Sequence, residues 1–353
     1  MKIGTIIAAV SCAAFAAPVQ PAAAYNISLK GRVHERMTAM AELCLAEAEG
    51  RFPERCDPAA LAGRLPRRAL QSPRARAVRW SDDPTGQISA TAGLKFLAQT
   101  LGGGCEKRIP ANASPADPPR PFAGLLCHTH YGSFQFMHAL SGRAGETPQD
   151  TAAKMLSWAD LTYRVATGRI GREVGYCDYL RKQKAIAAEL APPSFPFCEA
   201  DRAEEASDPY SRWRVHTLFS MRCRNPLSSK KCSEAIGDAG EAIARRNATG
   251  ALLHLVQDSF SQSHVVRGEP QAGRKFKPLV VCAPATAYHV YRLQTAAKIK
   301  HSSADKQPAW DSGCAGSAIH DPVTASAVLL WHIDNPSSPE AVAAYIRTHV
   351  LGI

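Results

Sequence analysis

Beyond residue 24 the sequence has no run approaching the ~18 consecutive apolar residues of a membrane helix, so no later segment reads as a helical span. It has no Cys-x-x-Cys pair, which leaves a cysteine-rich zinc knuckle or a thioredoxin-like redox site without support. It has no Gly-x-Ser-x-Gly elbow and no Gly-rich phosphate loop, so two common routes to hydrolysis and phosphate binding are missing. His34-Glu35-Arg36-Met37-Thr38 starts like His-Glu-x-x-His, but Thr38 stands where the second histidine belongs, and a metalloprotease of that type is excluded. Strand alternation is scarce, with Val280-Val281 a short exception, and there is neither an internal repeat nor a clear domain boundary. Acidic residues are in deficit: 31 Asp+Glu face 42 Lys+Arg, a formal +11. That field favours anionic partners such as phospholipid headgroups, membrane surfaces or nucleic acid, and does not choose among them.

What the sequence does contain begins with a leader. Lys2 gives a positive start, residues 3–17 are apolar apart from small residues, and Ala22-Ala23-Ala24 supplies the small side chains a signal peptidase reads. The expectation is a cleaved signal peptide over residues 1–24, with Tyr25 the first mature residue and a secreted or periplasmic location. A lipoprotein cut before Cys12 fits poorly, because Ala9-Val10-Ser11 is a weak match. Of eleven cysteines only Cys12 falls in the leader. The remaining even number, outside the reducing cytosol, reads as disulfides, and Cys223 with Cys232 is the expected local pair across a turn-rich segment.

Residues 25–353 read as one helical domain with long Pro-rich loops. Val33, Met37, Met40, Ala41 and Cys44 fall at helical spacing. So do Ala92, Leu94, Leu97 and Leu101, after which Gly102-Gly103-Gly104 stops the helix. Residues 151–168 predict another helix, and residues 239–260 the longest and most apolar one. Loops are expected over 109–121, 191–210, 266–278 and 300–321.

Inside the longest helix, His254 and Asp258 are four residues apart and therefore share one face, where an imidazole nitrogen and a carboxylate oxygen can both reach one ion at ~2.0–2.2 Å. The surrounding Leu252, Leu253, Leu255 and Val256 imply that Asp258 is buried, and a buried carboxylate needs a partner or a cation. His264, six residues on, would point away from Asp258 on a continued helix. It suits a second ion nearby, or a helix that ends in the Ser-rich segment 259–263.

The spacing of His254, Asp258 and His264 resembles the central motif of the zinc-dependent phospholipases C and the fungal-type single-strand nucleases, helical enzymes with a three-zinc cluster. The resemblance runs in islands over residues 25–305. It implies an all-α fold in which Asp258 bridges two of three Zn2+ ions, His254 binds one of that pair, and His264 holds the separate third. His301 and Asp305 fit the family's His-x-x-x-acid pair beside His264, with His289 as a fallback. His34 would be the early histidine. Tyr25 would bind through its backbone amine and carbonyl, where the family has Trp. The family's metal-bound Asp, which also contacts the nucleophilic water, would be Asp82 or Asp83, with Asp82 preferred. Its following His would be His130 rather than His128, leaving His138 as a supporting or core residue.

The resemblance further implies a phosphodiester hydrolase that uses a hydroxide shared by two zincs. A phospholipid substrate with peripheral contact to a membrane surface is the first expectation, and single-stranded nucleic acid the alternative. Phe122, Tyr131, Phe134, Phe195, Phe197 and Tyr210 could meet lipid, stack a base or simply pack the core. A non-catalytic helical protein with structural zinc is the reading from a different class. The carboxylates in the set speak against it, because structural zinc sites are usually closed Cys/His tetrahedra.

Overall fold

Proline, abundant in this chain, starts helices here as well as filling loops. Asp57-Pro58, Ser72-Pro73, Thr147-Pro148, Asp321-Pro322 and Ser338-Pro339 each place an oxygen-bearing side chain at the N-cap and a proline in the first turn. In every case the cap oxygen accepts a backbone N–H two or three residues on, and the proline occupies a position whose own N–H would have had no helical partner.

The computed structural model describes residues 32–84, 125–191, 214–223, 232–234, 237–268, 282–291 and 317–353. Its helices are α1 (Val33–Glu47), α2 (Pro58–Arg64), α3 (Pro73–Ala77), α4 (Leu125–Tyr131), α5 (Pro148–Ala166), α6 (Tyr176–Leu180), α7 (Ala187–Leu190), α8 (Val215–Ser220), α9 (Gly237–Asp258), α10 (Pro322–Asp334) and α11 (Pro339–Tyr345). Short 3-10 turns at Val78–Trp80 and Ser133–His138 matter for the site. Strands β1 (Met221–Cys223) with β2 (Cys232–Glu234), and β3 (Val265–Arg267) with β4 (Ala285–Tyr288), form two antiparallel pairs. The protein is thus mostly helical. None of the described helices is long and apolar enough to cross a membrane.

Helix α9 is the axis. It packs against α5, α8, α10, α3 and the Val78–Trp80 turn. Every residue from Ala248 to Asp258 is buried, so this end of the helix is surrounded on all sides. Gly250 makes the closest approach possible: a Cβ there would lie 2.1 Å from the carbonyl oxygen of Ala77. Glycine costs a helix interior about 1 kcal/mol relative to alanine, but here it lets the Val78–Trp80 turn lie directly against the helix. Helix α1 packs across α10 and α3, and its C-terminal end is tied to the segment before α2 by the Cys44–Cys56 disulfide. Cys177 and Cys282 are also disulfide-bonded.

The expected helices over 33–44, 151–168 and 239–260 appear as α1, α5 and α9. Helix α9 stops at Asp258, and the Ser-rich residues that follow turn until β3 begins at Val265. The expected loop over 266–278 therefore needs correcting at its start. Val266 and Arg267 belong to β3, and Arg267 is buried because its guanidinium donates to the carbonyls of Ser259, Ala283 and Val350. The β1–β2 register sets Cys223 opposite Cys232. The expected helix over 92–101 and the Val280-Val281 strand lie outside the described residues.

Candidate metal centre

Four segments of chain converge on the C-terminal end of α9. Helix α1 brings His34, the turn after Trp80 brings Asp82, α4 and the following 3-10 turn bring His130 and His138, and α9 supplies His254 and Asp258. All six side chains are buried. Two trios result, His34–His254–Asp258 and Asp82–His130–His138, each with ligand-capable atoms that all lie within 4.8 Å of one another. The trios abut, since His254 Nε2 is 3.7 Å from Asp82 Oδ1 and His138 Nδ1 is 2.9 Å from Asp258 Oδ2.

The orientation of each imidazole is set from behind. His254 Nδ1 donates to the carbonyl of Val78 at 2.9 Å, which turns Nε2 toward Asp258 and Asp82. His34 Nδ1 donates to Gln257 Oε1 at 2.7 Å. That direction follows from the rest of the network: Ser326 Oγ donates to the Pro322 carbonyl, so it accepts from Gln257 Nε2, which also reaches Thr38 Oγ1. The amide oxygen is left as the acceptor for His34, and His34 Nε2 faces Asp258 Oδ1 at 3.4 Å. His264 Nδ1 donates to the His138 carbonyl, reached because Ala139 adopts a left-handed conformation with φ 54°. His34 and His254 stack with ring centroids 3.9 Å apart. Imidazoles tied through one nitrogen to an oxygen acceptor, with the other aimed at carboxylates, form the arrangement by which proteins fix metal ligands.

Electrostatics point the same way. Burial alone would raise the Asp258 and Asp82 carboxyls, but the surrounding imidazoles overcome it and hold both below the ordinary carboxylate range. Burial works against charge on His254, yet Asp258 and Asp82 facing it raise it to about 9. Burial pulls His138 down to about 4 against the pull of its hydrogen bond to Asp258, and it lowers His264. Two ionised carboxylates thus sit in a buried cluster, where their charge must be met by protons or a cation.

The donor set decides that a cation fits. Asp82 Oδ1, Asp258 Oδ1 and His138 Nε2 are buried and accept no hydrogen bond among the described residues. Asp82 Oδ1 lies 3.8 Å from His130 Nε2 and 3.7 Å from His254 Nε2, too far for hydrogen bonds. Two atoms that share one ion at ~2.1 Å in a tetrahedral arrangement lie about 3.4 Å apart, the spacing that His130 and Asp82 approach in one trio and that His34 Nε2 and Asp258 Oδ1, at 3.4 Å, show in the other. Oxygen and imidazole donors in this ratio suit zinc.

Of the residues expected from sequence, His34, Asp82, His130, His254 and Asp258 are brought together. His264 lies beside them, its Nδ1 3.6 Å from Asp258 Oδ2. Asp83 is half-buried and falls in neither trio; its backbone N–H closes the turn onto Arg79 and Trp80. His128 packs on Phe134 instead. Tyr25, His301 and Asp305 lie outside the described residues. His138, expected as a supporting or core residue, is buried and hydrogen-bonded to Asp258 and also falls in the second trio, because the 3-10 turn after α4 swings it back toward His130, with ring centroids 4.7 Å apart. Its signal was the eight-residue interval from His130, which two helical turns would also have served. The fallback His289 lies next to His264, since the β3–β4 pairing carries its N–H to the His264 carbonyl at 2.8 Å. Burial and the nearby His264 hold its imidazole down to about 4. No family model, curated protein or solved structure matches this chain.

Proposed function

We propose that the protein is an exported zinc-dependent phosphodiester hydrolase of the phospholipase C and single-strand nuclease type. The observation that carries this reading is the pair of buried, ionised carboxylates, Asp82 and Asp258, whose Oδ1 atoms accept no hydrogen bond although five histidines lie around them. His34, His254 and Asp258 would hold one ion and Asp82, His130 and His138 its neighbour, with Asp258 between the two. His264 would serve a third, with His301 and Asp305 or with His289. Bound zinc would supply positive charge for phosphoryl oxygens and bring the ionisation of water toward neutral pH.

The chain's own residues have separate tasks. Asp82 stays ionised and presents an oxygen that can accept a hydrogen bond from a water and so orient it. Val78, Gln257 and the His138 carbonyl keep the histidines from turning. The Leu- and Val-rich wall of α9 excludes bulk water, which strengthens every charge interaction inside. No serine, cysteine or lysine nucleophile is needed.

The test joins metal analysis to turnover. Purified protein should carry about three zinc ions, hydrolyse bis(4-nitrophenyl) phosphate, and lose that activity to a chelator and regain it with zinc. Zinc at full occupancy with no turnover of this ester, of phosphatidylcholine vesicles or of single-stranded DNA would establish the structural-zinc reading instead.

A further inference from the structure

Residues 58–81 contain six arginines, Arg64, Arg67, Arg68, Arg74, Arg76 and Arg79, and no lysine, aspartate or glutamate. Carboxylates from elsewhere meet half of them. Glu47 pairs with Arg64 at 2.7 Å, Asp334 with Arg74, and Glu35 with Arg79 at 3.1 Å. Arg67, Arg68 and Arg76 are exposed and have no carboxylate partner among the described residues. The segment that runs from α2 through α3 to the metal centre therefore carries three exposed guanidinium groups that no carboxylate among the described residues meets.

That segment is fixed firmly to the centre. Ala77 lies against Gly250 of α9, the Val78 carbonyl holds His254, and Asp82 is a member of the second trio. Arg76 is six residues from Asp82, so at most about 20 Å of chain separates them. A nucleic-acid strand with one phosphate per ~3.4 Å of helix axis covers that distance in about six nucleotides, and in fewer when extended, whereas one lipid headgroup does not. The exclusive use of arginine favours phosphate, whose oxygens match the guanidinium fork. A lipid surface would call for large apolar side chains beside the charges. Among the described residues the exposed large hydrophobics are Phe52 and Ile353, and neither lies in this segment.

We propose that Arg67, Arg68 and Arg76 form a docking strip for the phosphate backbone of a nucleic-acid strand, a substrate assignment that rests on the phosphodiesterase reading above. The strip holds flanking phosphates and adds nothing to the reacting centre.

The experiment measures binding of a phosphorothioate oligothymidylate to the zinc-loaded protein by fluorescence anisotropy across a salt titration, for wild type, R67Q/R68Q/R76Q and R67K/R68K/R76K. Hydrolysis of bis(4-nitrophenyl) phosphate is followed alongside. The glutamine variant should bind at least about tenfold more weakly, with a log–log salt slope shallower by about 2, the effect of three lost phosphate contacts on a single strand. The lysine variant should keep most of the slope while losing part of the affinity. Metal content and turnover of the small ester should not change. Equal affinity and slope in wild type and the glutamine variant would overturn the proposal. Wild-type binding to phosphatidylglycerol vesicles but not to the oligonucleotide would also overturn it, in favour of a membrane surface. No turnover of the small ester by wild type, with strip-dependent oligonucleotide binding intact, would refute the hydrolase reading and support the docking strip.

Discussion

At the scale of single residues, a carboxylate cut off from solvent persists in its charged form only where positive charge or hydrogen-bond donors meet it. Asp258 is fully buried and held well below the ordinary carboxylate range, with His138, His254, His34 and His264 grouped around its two oxygens. If it lies between two cations, its charge offsets their mutual repulsion and each oxygen serves one of them. Asp258→Asn keeps the shape, loses the charge and leaves one competent ligand oxygen, so about two zinc ions should be lost together, along with hydrolysis. Elemental analysis of the purified variant checks this; a full metal complement with wild-type turnover would reduce Asp258 to a buried acid satisfied by its histidines. Gln257 acts one step back. Its amide oxygen receives His34 Nδ1, and its NH2 group is anchored by Thr38 and Ser326. Gln257→Leu should fold and still lose roughly 10–100-fold in zinc affinity, because His34 is no longer held in one tautomer and orientation. Competition with a chromogenic chelator measures that loss, and an unchanged affinity would mean that His34 is held by packing alone.

Elements meet through charge as well as packing. Lys154 of α5 sits between Glu146, just before the same helix, and Glu189 of α7, the latter at 2.5 Å. Glu146 also accepts from Gly142 N–H and Thr151 Oγ, so the triad braces the turn that follows His138. Burial works to lower the Lys154 pKa, but hydrogen bonds to the two glutamates outweigh it and the folded value is raised. A raised folded pKa contributes stability that is complete below the unfolded lysine value of about 10.4 and is lost as pH rises through the folded value. Lys154→Met strands two buried carboxylates and should cost about 3–5 kcal/mol in urea unfolding at neutral pH. Its deficit relative to wild type should shrink at strongly alkaline pH, where Lys154 loses its proton, and again at acid pH, where the stranded carboxylates take up protons; a deficit that stayed the same at every pH would contradict the charge assignment. The sequence showed some of these elements and concealed others. Helices α1, α5 and α9 were legible because Val33, Met37 and Met40, or Met155 and Ala159, repeat at a period that only a helix buries. His254 and Asp258 were legible because a four-residue step carries both to one face. His138 was not, since its place depends on a 3-10 turn and a left-handed Ala139 that no periodicity encodes. Arg267 reads as loop charge until its acceptors, three backbone carbonyls from distant segments, are seen together. His289 lies beside His264 because strand pairing placed it there, whereas His301 falls outside the described residues.

For the whole molecule, the same cluster is a junction. His34 comes from the start of α1, Asp82 from the turn packed on Gly250, His130 and His138 from the segment before α5, His254 and Asp258 from α9, and His264 from the approach to β3. Ions held there would join segments far apart in sequence, and the unfolded chain has no such site, so metal binding would add to the free energy of folding. Without metal, the buried Asp82 and Asp258 have imidazoles around them to balance their charge. At free zinc a thousandfold above its dissociation constant one site contributes about 4 kcal/mol, which for a chain of this size corresponds to a melting shift of roughly 6 °C. Chelation should therefore lower the melting temperature by at least that much, and restoring zinc should recover it. The Cys44–Cys56 bridge closes a short loop at the far end of α1 and should contribute about 3 kcal/mol through a different route, by restricting the unfolded chain. Chelator and reductant should accordingly act independently, and their effects should add when both are present. Calorimetry with each alone and with the two together separates the contributions. A melting temperature that fell with reductant but stayed fixed under a strong zinc chelator would show that protons, not metal ions, neutralise the buried carboxylates, and the metal centre would have to be withdrawn.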